Sequence, residues 1–129
     1  MEKHLALVES ANLEFLDRRI LNVNADVRYE KGFNQNVLNI VLDTWSEEKG
    51  ERVGTAEGMT FLIALLDFFG VNNLTEVKDQ YVYVLTESGK SVLNGKVLGL
   101  EHLATNPNRQ CGRSKIIYSD FLVRLINVE

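Results

Sequence analysis

Between Gly54 and Leu103 a nearly all-apolar stretch, GTAEGMTFLIALLDFFGV, runs into the alternating segment QYVYVLT and then a returning segment, GKVLGLEHL. A helix followed directly by antiparallel strands leaves few folds open. Thr55 and Glu57 sit where a helix begins, a hydroxyl to cap orphan N–H groups and a carboxylate at the positive end of the dipole, and Gly70 follows as a stop. Met59, Leu62, Ile63, Leu66 and Phe69 form one stripe along it; Phe61, Leu65 and Phe68 form a second. Such a helix is buried on two sides, or buried on one and offered to a partner on the other. Tyr81, Tyr83 and Leu85 alternate with Val82 and Val84 as a strand does. Lys96 to Leu103 returns against it after Asn94 and Gly95, a type I′ hairpin signal.

Upstream, Leu21, Val23, Ala25, Val27 and Tyr29 alternate with Asn22, Asn24, Asp26, Arg28 and Glu30, the pattern of a half-buried strand. Gly32 and its asparagine neighbours supply a turn, and Val37 to Trp45 pairs back, with Leu38, Ile40 and Leu42 on the core face and Val37, Val41 and Trp45 opposite. The run SEEKGERVG reads as a charged surface loop. Residues 4 to 17 suit a short helix with Leu5, Val8 and Leu16 inward, or a frayed arm, so 1–18 is set apart as an N-terminal arm or short helix. In the tail from Ile116 to Val128, Phe121, Leu122, Leu125 and Ile126 suit a helix capped by Ser119, while IIY and FLV also suit strands; the helix is favoured. The expected fold is α+β, with antiparallel hairpins packed around one central buried helix in a single domain, residues 1–129.

A chain of 129 residues with 45% hydrophobic and 25% charged residues fits one globular core. The net charge of −4 argues against a general nucleic-acid binder, so no direct DNA binding is expected. Cys111 is the only cysteine, which excludes an intrachain disulfide and a cysteine-based metal cage. Charges at Glu2, Lys3, Glu9, Glu14 and Asp17 interrupt any signal-peptide core, and no apolar run reaches the ~20 residues of a membrane span, so a cytoplasmic location is expected.

The sequence carries no recognisable catalytic motif. His4 and His102 match no metal-ligand spacing, and His102 with Cys111 lacks a third group to orient a base. Neither GxGxxG nor GxxxxGK[ST] occurs. No enzyme activity, cofactor or metal is expected. One segment departs from the acidic average: from Ala104 to Ser119 the chain has Arg109, Arg113 and Lys115 and no acidic residue, with Asn106, Asn108, Gln110 and Gly112 between. An irregular basic loop over 104–115 can bind an anion, since the planar guanidinium suits phosphate and amides add donors; a solvated surface loop is the plain alternative. Arg28 on the polar side of the first strand is a further contact, and Tyr83 or Phe33 can stack on a base, although cross-strand packing is the commoner role for such a tyrosine.

The motifs GTAEGMTFLIALLDFFGV, YVYVL and GKVLGLEHL, covering Gly54 to Leu103, resemble a group of small phage and prophage proteins with a GxxFLxxLLxxxGV helix, a KYVxV strand and a GKxxGIxxI strand. Here Asp79 and Gln80 replace Gly-Lys before the tyrosine, and the second strand ends in Leu100, Glu101 and His102. Among these the chain is most similar to the Thoeris anti-defence sponges. The resemblance implies a counter-defence protein that sequesters a cyclic ADP-ribose-type or cyclic oligonucleotide signal without cleaving it, acting in the host cytoplasm. It implies no ligand residues; Arg28, Arg109 and Arg113 are assigned as ligand-binding by charge. The expected partners are a small nucleotide second messenger and further copies of the chain, with no membrane. The alternative is a protein-binding inhibitor of a defence effector, of the anti-CRISPR kind.

Overall fold

A computed structural model describes residues 1–17, 19–89, 95–103, 114–121 and 123–125. The strands β1 (Glu2–Leu16), β2 (Ile20–Tyr29), β3 (Asn34–Val41), β4 (Asp43–Ser46) and β5 (Glu51–Gly54) precede the helix α1 (Ala56–Phe69). After it come β6 (Tyr81–Thr86), β7 (Val97–His102), β8 (Lys115–Ile117) and β9 (Arg124–Leu125). Seven strands form one antiparallel sheet in the order β8-β7-β6-β1-β2-β3-β9, and β4 and β5 form a separate ribbon. The fold is α+β, as the sequence predicts.

The sheet is curled by its own connectivity. Laid flat, seven strands at about 4.8 Å spacing would hold the outer two about 29 Å apart, yet the chain from Ile117 to Arg124 joins them and reaches at most about 25 Å fully extended. The two ends therefore turn towards each other around the helix. A hydrogen bond from the buried Tyr118 hydroxyl to the Val37 carbonyl, 2.6 Å long, ties them. Tyr118→Phe leaves that carbonyl unpaired and should lower stability by about 1–2 kcal/mol in a urea titration.

Helix α1 begins and ends as its sequence dictates. The Thr55 hydroxyl accepts from the Gly58 N–H at 2.9 Å and donates to the Leu42 carbonyl at 3.1 Å. Gly70 closes the helix in the left-handed region, φ 66°, its N–H donating to the Asp67 carbonyl while the Val71 N–H donates to that of Leu66. Phe61, Ala64, Leu65 and Phe68 are buried against Val8, Val23, Val27, Val82, Val84 and Leu100. Of the other stripe Phe69 is buried and Leu62 and Leu66 half-buried, while Met59 and Ile63 are exposed. The helix is thus buried on one side and presents apolar side chains to solvent on the other.

Three sequence expectations are corrected. The first residues form neither an arm nor a helix but the long strand β1, paired with both β2 and β6. A bulge between Val8 and Ser10 shifts the register there, so Ala6 and Val8 face the core and then Ala11 does, which spreads the apolar residues at a spacing that mimics a helix. The favoured helix in the tail is replaced, among the described residues, by β8, a 3-10 turn over Tyr118–Phe121 and β9. Ile116 and Tyr118, two apart, are both buried, and the β7 pairing of Lys115 to Ile117 prevails over the helical spacing. The charged run after Trp45 is only in part a loop: Glu51–Gly54 pairs with β4, setting Trp45 opposite Arg52. The turn expected at Asn94 falls outside the described residues.

Candidate functional site

Arg28 lies near the end of β2, on the sheet face away from α1, 3.3 Å from Glu9. It lines a shallow depression with Leu5, Leu7 and Tyr81. Tyr83 is on the same face, half-buried beneath the Lys3 ammonium, which stands 5.5 Å from the ring centre. Lys3 and Lys115 both pair with Glu101, at 2.5 and 3.4 Å. The hydrogen bond from Lys3 is the main reason that the Glu101 carboxyl stays below its ordinary range. Each of these three cations has a carboxylate partner, the two lysines sharing Glu101, and Tyr83 packs across strands. Phe33 stacks on Tyr29 in the β2–β3 turn, centroids 4.9 Å apart. Arg109 and Arg113 lie outside the described residues.

Both histidines make contacts within the fold. His102 packs on the Phe68 ring and hydrogen-bonds the Phe68 carbonyl at the end of α1. The His4 ring bonds the Thr86 hydroxyl at 2.9 Å. Among the described residues, no group of three or more His, Cys, Asp or Glu side chains is arranged to hold a metal. No described helix is long and apolar enough to cross a membrane.

A larger feature opens between the tip of the β1–β2 hairpin and the β4–β5 ribbon. This cleft, ≈ 1260 Å³, is lined by Phe15, Asp17, Arg19, Leu21, Trp45, Glu51, Arg52 and neighbours. Its geometry follows from Asp43. The chain breaks between β3 and β4 at Leu42, which donates to the Leu21 carbonyl and accepts from Thr55, so Asp43 turns inward and is only 6% exposed. Its carboxylate accepts from Arg52 Nη2 at 2.7 Å, Arg52 Nε at 3.0 Å and the Leu21 N–H at 3.1 Å. The ribbon is thereby clamped to the sheet, and Trp45, facing the same side as its cross-strand partner Arg52, is held at the cleft wall as a residue 51% exposed. Arg19, exposed in the hairpin turn, brings a second guanidinium to the same space.

The Arg52 hydrogen bonds hold the Asp43 carboxyl below its ordinary value, against the opposing effect of burial. A carboxyl whose folded pKa is depressed contributes stability above its unfolded pKa, near 4, and loses it as pH falls through the folded value. Wild-type protein should therefore lose more stability between pH 5 and pH 3 than Asp43→Asn does. Arg52→Ala, which strands a buried carboxylate, should cost about 3 kcal/mol at neutral pH. Urea titrations at the two pH values check both.

Sequence reasoning missed this cleft. The sequence places Trp45 on a partly covered strand face and Arg52 in a charged loop, and gives Arg19, just after the 1–18 segment, no role. The available signal was a tryptophan beside a charged run that contains Arg52, with Arg19 shortly before the first alternating strand. No family model, no curated protein and no solved structure matches this chain.

Proposed function

We propose that this protein is a non-catalytic counter-defence binder that takes a small phosphate-bearing nucleotide signal out of solution, holding it in the cleft beneath Trp45. The observation that carries the reading is the exposed indole of Trp45 in one open cleft with Arg19. An indole face stacks on any base, a guanidinium fork suits a phosphate, and Asp17 and Glu51 at the rim offer acceptors to ribose hydroxyls. Arg52 is committed to Asp43 and positions the wall. Binding of this kind uses no nucleophile and no general base, and His4 and His102 make contacts within the fold. Arg109 and Arg113 remain the candidates for additional phosphate contacts from the basic loop. Assembly with further copies of the chain, as a dimer or higher, is proposed beside this reading and does not depend on it.

The test is capture and release. The protein is incubated with cyclic ADP-ribose and cyclic oligonucleotides, freed of unbound nucleotide, heat-denatured, and the released material is weighed by mass spectrometry. Intact nucleotide is the expected result. A degraded product would replace the sponge with an enzyme, and capture of none would favour a protein target.

A further inference from the structure

Strand β1 pairs with β6 only over Glu2 to Leu7. Val8 exchanges two further bonds with the chain before β6, donating to the Gln80 carbonyl at 2.8 Å and accepting from the Asp79 N–H at 2.9 Å. From Ser10 to Leu16 the described strands pair with β1 on the β2 side alone. In a strand the side-chain face and the amide direction alternate together. Val8 faces the core and aims its amide towards β6, so the later core-face residues Ala11, Leu13 and Phe15 aim theirs to the same side, an edge where the 3-10 turn Leu74–Val77 packs against part of β1 but, among the described residues, no strand pairs with it. Beside that edge runs an apolar groove lined by Leu62 and Leu66 of α1 and by Leu74. Leu13 is 47% exposed and Phe15 64%. An unpaired edge with apolar side chains is a template for another strand.

We propose that the occupant is a second copy of this chain, its β1 pairing antiparallel with the first across a two-fold axis at Leu13. The sequence of the edge is complementary to itself in that register. Leu13 meets the partner's Leu13, Ala11 meets the partner's Phe15, and Asn12 meets the partner's Glu14, an amide donor opposite a carboxylate. Moving the axis to Glu14 would set two carboxylates opposite each other, which destabilises a sheet. The incoming strand turns its apolar face towards α1, so the partner's Phe15 lies beside the small Ala11 and over Leu62 and Leu66. The relation is reciprocal, as an isologous contact requires. Phe15 belongs both to the strand pair and to the cleft wall, whereas Trp45 and Arg19, which carry the nucleotide proposal, stand outside the strand pair.

Light scattering at tens of micromolar should return about twice 14.6 kDa. Leu13→Lys, at an exposed position, should return the single-chain mass with an unchanged circular dichroism spectrum. Register is read by disulfides in a Cys111→Ser background. Asn12→Cys and Glu14→Cys proteins, mixed and oxidised, should cross-link at a site where Cα atoms lie about 4.5 Å apart, while each alone should not. A wild-type monomer, a Leu13→Lys dimer, or cross-linking no better in the mixture than in either variant alone would overturn the proposal. Trp45→Ala should stay dimeric and Leu13→Lys should still capture nucleotide, so the two proposals fail separately.

Discussion

Trp45→Ala is expected to weaken capture of the nucleotide by roughly five- to a hundred-fold, because base stacking on an aromatic ring contributes ~1–3 kcal/mol. Arg19→Ala should cost roughly ten-fold or more through the loss of charge-assisted hydrogen bonds to phosphate, and lysine there should restore only part, since an ammonium cannot reproduce the planar fork. Both side chains are exposed, so neither change should move the melting temperature by more than a degree or two. Calorimetry on the two variants checks this. Full affinity in both, together with its loss in Arg109→Ala or Arg113→Ala, would move the site to the basic loop.

The largest effect on stability is expected at Phe61. It is wholly buried and meets Tyr118 and Phe121 edge-on, with centroids 6.1 and 5.3 Å away, where the helix holds the two ends of the curled sheet. Phe61→Ala opens a cavity at that junction and should cost about 3–5 kcal/mol, a large share of the ~5–15 kcal/mol that a domain has. Gly58→Ala acts on the same packing about one turn earlier in the helix. A Cβ there would stand 2.6 Å from the Leu42 carbonyl oxygen and 2.7 Å from the Leu42 Cα, and backbone cannot step aside as a side chain can. Urea unfolding of both, with Thr60→Ala on the exposed face as the control, should show two large losses and one near zero.

The helix and the strands β2 and β6 were legible because their signals are local. Thr55 and Gly70 mark the helix ends, and Val23, Ala25 and Val27 keep strict alternation, since each packs on the same core. Strand β1 was illegible because its bulge changes the phase midway, and the tail because Ile116 and Tyr118 take their conformation from β7 and Val37, which are distant in sequence. The cleft failed to show for the same reason. Trp45 and Arg19 share one cleft only after the Asp43 carboxylate joins the ribbon to β2, a contact that no spacing along the chain encodes. Arg28, by contrast, was correctly placed on the polar face, but its neighbour Glu9 is supplied by the bulged strand.

Trp45 is the only tryptophan in the chain, so its fluorescence reports on the proposed site without a label. The most direct measurement is a titration of the wild-type protein with cyclic ADP-ribose and cyclic oligonucleotides, followed by indole emission. The account predicts saturable quenching by at least one of them and its attenuation in Arg19→Ala. Binding detected by calorimetry with no change in the emission of Trp45 would contradict it.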